Sequence, residues 1–222
     1  MRILKFGGSS VGATEGILNI KKIVEGGERP AIAVVSALRG VTDALIDLAQ
    51  TAASGNAEAT KAGFEDICAR HRDYIAQIIP APRRPRLLEQ TEQWLAELQS
   101  ILHGRYLSRE RTPKTADAVV AYGERLSSLI VAELIDGAVH YDSRCFVKTF
   151  RQGEKHLVDF ARTNQLIQET FATCPAVAVA GGFIATDAAT GITTNLGRGG
   201  SDYTAAILAA ALNAEALEIW TD

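Results

Sequence analysis

The sequence lacks any apolar stretch long enough to enter a membrane. Its longest runs, 31–35 (Ala-Ile-Ala-Val-Val) and 176–180 (Ala-Val-Ala-Val-Ala), fall far short of the roughly 20 residues that a spanning helix needs. The start does not read as a secretion signal, because Lys5 and the Gly7-Gly8 pair interrupt it before an apolar core develops. Cysteine is scarce: Cys68, Cys145 and Cys174 are odd in number and far apart. That excludes a disulfide framework and a zinc-ligand spacing, and leaves reduced thiols of a cytoplasmic protein as the expectation. Basic residues are not in excess. With 23 Lys and Arg against 26 Asp and Glu the net charge is −3, and without a basic stripe nucleic-acid binding has no support. No internal repeat and no low-complexity linker is present. The four histidines, His71, His103, His140 and His156, fall in none of the motifs described below.

What is present is globular. A hydrophobic fraction of 47% and a charged fraction of 22% over 222 residues fit an ordered chain of one large domain or two small ones. Residues 2–6 alternate and are β-prone, and Gly7-Gly8 breaks them. Residues 14–25 carry Ile17, Ile20 and Val24 at helical spacing. The run 31–35 reads as a strand buried on both faces, and a helix over about 42–53 follows. This order, strand, glycine turn, helix, strand, polar turn, helix, predicts an α/β protein with a mostly parallel sheet. Right-handed crossovers then put the strand C-termini on one edge, where ligands of open α/β sheets bind.

Helices are predicted over 57–78 and 86–102, with Pro80, Pro82 and Pro85 between them, and one long helix over 115–135. A strand is expected within 138–147, a helix over 163–173 and a strand at 176–180. Residues 186–200 form a Thr-, Gly- and Asp-rich loop. A helix over 201–213 and a last strand at 216–220 complete the chain. A chain that stops at Thr221-Asp222, directly after a strand, reads as ending inside a longer domain, since such a strand tip should lead into a functional loop.

Five segments carry candidate chemistry. In Gly197-Arg198-Gly199-Gly200-Ser201-Asp202 the glycines free the backbone to approach an anion, and Arg198 can grip a carboxylate or phosphate through its fork. A capped flexible loop is the plainer reading of the same residues. In Lys5-Phe6-Gly7-Gly8-Ser9 a lysine at a strand end precedes two glycines. That suits stabilisation of a moving phosphoryl group but is not the P-loop pattern, in which the lysine follows the glycines. Ser36 and Thr42 after the buried strand could bind substrate or merely cap a helix. Gly123-Glu124-Arg125-Leu126-Ser127 places a glycine inside a helix, at a cost of about 1 kcal/mol that close packing or a ligand would explain. Trp220-Thr221-Asp222 puts polar groups at the last strand's end. No Gly-x-Gly-x-x-Gly follows a candidate strand, which excludes a dinucleotide-binding domain.

Taken together and in this order, these segments resemble the aspartate kinase branch of the amino-acid kinase family. The resemblance rests on Lys-Phe-Gly-Gly-Ser-Ser-Val at 5–11, Val-Ser-Ala at 35–37 and Gly-Glu-Arg-Leu-Ser at 123–127. It continues with Gly-Gly-Phe-Ile at 181–184, Leu-Gly-Arg-Gly-Gly-Ser-Asp-Tyr-Thr-Ala at 196–205 and Ile-Trp-Thr-Asp at 219–222. It implies a three-layer αβα sandwich around a mostly parallel, eight-stranded open sheet. The implied reaction is ATP-dependent phosphorylation of the L-aspartate β-carboxylate, at the head of lysine, threonine and methionine synthesis. By the same resemblance Lys5, Gly7, Gly8 and Asp202 would serve catalysis, with Asp202 organising the lysine. Ser36, Thr42, Glu124 and Arg198 would bind aspartate, Arg198 at a carboxylate and Glu124 at the ammonium. Lys5, Gly8, Ser9, Gly199, Gly200, Thr221 and Asp222 would meet the nucleotide. Mg²⁺ would arrive with ATP, without protein metal ligands of its own. The full-length enzyme would be a homo-oligomer in the cytoplasm, with no nucleic-acid or membrane partner.

The departures are Ser9 and Asn195, both where Thr is usual. The family's nucleotide loop also continues past Thr-Asp. Residues 1–222 are therefore expected to be a kinase domain incomplete at its C-terminus, with regulatory domains outside it. Ile-Leu-His-Gly at 101–104 resembles forms fused to homoserine dehydrogenase. The residues leave open a kinase of another amino acid, such as glutamate, or a non-catalytic sensor on the same fold.

Overall fold

The computed structural model describes residues 1–153 and 155–220. Five strands, β1 (Arg2–Phe6), β2 (Ala31–Val35), β3 (Ala138–Tyr141), β6 (Val177–Gly181) and β9 (Ala216–Trp220), form a parallel sheet in the order β3-β6-β2-β1-β9. The inner strands β2 and β6 are buried at every position. Their side chains alternate between two cores. Ala31, Ala33, Val35, Val177 and Val179 enter one, while Ile32, Val34, Ala178 and Ala180 enter the other.

The first core is covered by helices α2 (Thr14–Gly26), α3 (Val41–Ser54), α4 (Ala57–Ile78), α5 (Arg84–Ser108) and α7 (Tyr122–Leu134). The opposite face is covered by α8 (Phe160–Thr170) and α9 (Gly200–Ala211). This is the three-layer α/β arrangement that the strand and helix order predicts. No helix among the described residues is long and apolar enough to cross a membrane.

The central sheet has five strands among the described residues; the eight that the resemblance implies belong to the complete domain. Strands β4 (Lys148–Gln152), β5 (Lys155–Val158), β7 (Ile184–Asp187) and β8 (Thr193–Asn195) form a separate mixed sheet in the order β5-β4-β7-β8. The hairpin strands β4 and β5 are too polar and too exposed to sit inside a sheet covered on both faces. The helix expected over 115–135 is two, α6 (Pro113–Val120) and α7, which meet at Ala121. The bend lets α6 pack on β8 while α7 packs on β6. A short helical turn, α1 (Gly8–Gly12), occupies the glycine turn after β1.

Candidate active site

The C-terminal ends of β1 and β2, the start of α9 and one face of α7 enclose a cleft of 470 Å³. Lys5 reaches it because the strand alternation that buries Leu4 and Phe6 in the first core turns Lys5 to the face of β1 on which α9 packs. Its ammonium lies 2.8 Å from Asp202 Oδ1 in the first turn of α9. The lysine side chain is 8% exposed and the aspartate 47%. The pair makes a direct ionic contact without the angle of a hydrogen bond. Gly8 and Ser9 of α1 line the cleft as well. Gly7 is not among the lining residues; its N–H donates to the Trp220 carbonyl at 3.3 Å, yet it lies beside Lys5, where a Cβ would stand 3.5 Å from the ammonium.

Helix α7 lines the cleft through Glu124. Gly123 packs so close to the β2–α3 loop that a Cβ there would stand 2.8 Å from the Ala37 side chain. The glycine that looked costly inside a helix is therefore the contact point between helix and loop. Around it, Ser127 Oγ donates to the Ser36 carbonyl at 2.7 Å, and Glu124 accepts from the Ala37 N–H at 3.2 Å. Glu124 is 3% exposed. Its second oxygen, Oε2, is buried and has no hydrogen-bond partner among the described residues. Burial without a countercharge pushes this carboxyl up to about 8, against the lesser opposing pull of its backbone hydrogen bonds.

Ser36, Thr42, Arg198, Gly199 and Gly200 also line the cleft. Arg198 is exposed and makes no ion pair or side-chain hydrogen bond among the described residues. Asn195, just before this loop, donates to the Asp117 carbonyl and carboxylate at 3.3 Å each, tying β8 to α6. Thr221 and Asp222 lie outside the described residues. The sequence reading passed over Arg39, Asp43 and Phe183, which line the cleft as well. Phe183 had a signal, since it stands in the Gly-Gly-Phe-Ile segment, to which no role was attached. Arg39 had none beyond lying in the loop that Ser36 opens, and Asp43 none beyond its place in the first turn of α3.

The cleft thus holds a buried carboxylate with one oxygen unpartnered among the described residues, a buried lysine in contact with Asp202, and, on a glycine-rich loop, an exposed arginine without an ion pair among the described residues. Such a cleft suits a zwitterion carrying an additional anionic group. Residues 1–222 match the family model described as the amino acid kinase family. The chain belongs to the amino acid kinase family. Within it, the chain is 31% identical over 227 residues to lysine-sensitive aspartokinase 3 of Escherichia coli, covering 99% of this chain and 48% of that protein. It is 29% identical to the chloroplastic bifunctional aspartokinase/homoserine dehydrogenase 1 of Zea mays, covering 98% of this chain and 24% of that protein. Among solved structures, E. coli aspartokinase III in complex with lysine and aspartate superposes with a TM-score of 0.89 at 27% identity. The same enzyme in complex with aspartate and ADP gives 0.87. The match covers all of this chain and 49% of each of those. The chain therefore spans half or less of the length of these relatives.

Proposed function

We propose that the natural gene product is an aspartate kinase and that residues 1–222 carry its aspartate and phosphoryl-transfer machinery. The observation that carries the reading is Glu124, a buried carboxylate with one oxygen unpartnered among the described residues, lining the same cleft as the Lys5–Asp202 pair. The substrate ammonium supplies the charge that Glu124 lacks. Arg198 grips the α-carboxylate, with Ser36 and Thr42 beside it. The β-carboxylate then points to Lys5, Gly8 and Ser9.

One β-carboxylate oxygen attacks the γ-phosphorus of Mg²⁺-bound ATP in line. The bond from that phosphorus to the β–γ bridging oxygen breaks, and ADP leaves with the electron pair. The products are 4-phospho-L-aspartate and ADP. A carboxylate with a pKa near 3.9 is already ionised at neutral pH, so no general base is needed. Lys5 stabilises charge on the transferring group, and Asp202 holds Lys5 in place. Gly7 orients the turn through its bond to Trp220. Gly199 and Gly200 offer backbone amides to the nucleotide phosphates, and Thr221 and Asp222 open the rest of the nucleotide site. The reading includes a cytoplasmic, homo-oligomeric full-length enzyme that starts lysine, threonine and methionine synthesis. E. coli aspartokinase III, crystallised with aspartate and ADP, supports the choice of both substrates.

The test is ADP release by the natural gene product with ATP and Mg²⁺. Release that depends on L-aspartate is expected. Release that is absent, or unaffected by aspartate, rejects the reading.

A further inference from the structure

Phe183 is the one cleft-lining side chain attached to a backbone that favours glycine. Its φ is 66°, in the left-handed region that bulky residues avoid. The Ile184 N–H donates to the Gly182 carbonyl at 2.7 Å, closing a three-residue turn around Phe183. A positive φ at the centre of such a turn is the classic γ-turn, the rare and strained form. Two glycines stand immediately before it, yet the strained position itself holds a phenylalanine. Strain of this kind persists only where the surroundings over-determine it, and it collects at functional sites.

The surroundings do over-determine it. The Gly182 N–H donates to the Val35 carbonyl at 2.9 Å, and the Phe183 carbonyl accepts from the Leu196 N–H at 2.8 Å. The Phe183 N–H donates to Thr204 Oγ1 at 3.0 Å. That buried hydroxyl in turn donates to the Gly200 carbonyl at 2.9 Å. The ring backs onto Gly200, where a Cβ would stand only 2.7 Å from Phe183 Cδ2. The turn, the ring and the first turn of α9 are therefore tied together by hydrogen bonds and close packing. The Glu124 backbone carbonyl packs against Gly181 just before this turn, so the same unit also meets Glu124.

We propose that Phe183 is the specificity-determining wall of the cleft, held rigid so that it sets the length of acidic amino acid that can react. A four-carbon amino dicarboxylate anchored at Glu124 and Arg198 brings its distal carboxylate to the Lys5 end. Its five-carbon homologue meets the ring and cannot align. Rigidity matters because a wall that could swing aside would accept the extra methylene at little cost. The inference rests on the aspartate kinase reading and deepens it.

The experiment measures kcat/KM for L-aspartate and L-glutamate by ADP release in the natural gene product, in Phe183→Ala and in Phe183→Leu. Circular dichroism checks each fold, and the Leu variant decides the matter where the Ala variant does not fold. The expected result is an aspartate-to-glutamate ratio that falls about tenfold or more in Phe183→Ala, with Phe183→Leu intermediate. A ratio unchanged in a folded variant, both substrates losing the same factor, would reduce Phe183 to packing and overturn the inference while leaving the kinase reading intact. A wild-type protein that releases ADP with neither amino acid would overturn both.

Discussion

Glu124 accepts a single side-chain hydrogen bond, from the Ala37 N–H at 3.2 Å, and its other oxygen is buried without a partner among the described residues. The free protein therefore holds this carboxyl largely protonated below about 8. An incoming ammonium favours the ionised form, so aspartate affinity should rise with pH until the group has ionised in the free protein. Calorimetric titration with aspartate from pH 6 to 9 measures this directly. In Glu124→Gln the affinity should be lower and that pH dependence lost. A slope that persists in the variant would assign the titration elsewhere.

The same group shapes stability. Its folded-state pKa is raised from 4.5 to about 8. Between those values the folded chain keeps a proton that the unfolded chain has released. Its contribution to stability is full below about 4.5, and it declines as pH rises toward about 8. Without aspartate, the wild-type denaturation midpoint should fall relative to that of Glu124→Gln across this window. Parallel curves would show that Glu124 ionises normally.

Lys5 is buried against Asp202, and in the proposed reaction its charge meets the transferring phosphoryl group. Lys5→Ala should lower kcat by about a hundredfold or more, with little change in aspartate affinity. Asp202→Asn should lower kcat less, because the lysine remains. A Lys5→Ala protein that is folded and has near-normal kcat would remove Lys5 from the chemistry.

Arg198 lies between Gly197 and Gly199 on an exposed loop. Arg198→Lys keeps the charge and loses the fork. The KM for aspartate should rise by about ten- to a hundredfold, the worth of a charged hydrogen bond, and the KM for ATP should move much less. Equal effects on both substrates would count against a carboxylate contact.

Gly123→Ala sets two effects against each other. Alanine gains about 1 kcal/mol in helix propensity. The added Cβ would stand 2.8 Å from the Ala37 side chain, and overpacking of this kind costs about 1–3 kcal/mol. The clash should win, giving a lower unfolding midpoint in urea together with weaker aspartate binding. A more stable variant would mean that the loop yields freely.

Much of the fold was legible because its central strands are covered on both faces and so appear as unbroken apolar runs, at 31–35 for β2 and at 176–180 for β6. Helix α4 was legible from its periodicity between residues 57 and 78. The hairpin β4–β5 was not, because Lys148, Arg151, Gln152 and Lys155 leave too little alternation to mark a half-buried strand. Strands β7 and β8 lay hidden in a segment whose threonines and glycines read as loop. At the cleft, the residue types were visible but their environments were not. A helical Glu is ordinarily solvated, and only Gly123 beside it hinted that this stretch of α7 is buried around its circumference. Nothing in the composition of 181–184 reveals that a phenylalanine adopts positive φ there, because the conformation is imposed by Thr204, Leu196 and Val35 from three other segments.

The most direct test of the central claim is to trap the product. The natural gene product is incubated with ATP, Mg²⁺, L-aspartate and hydroxylamine, and the hydroxamate is identified by mass spectrometry and NMR. The account predicts the β-hydroxamate of aspartate, formed in step with ADP and lost in Lys5→Ala. ADP formation without hydroxamate, or hydroxamate at the α-carboxylate, would contradict it.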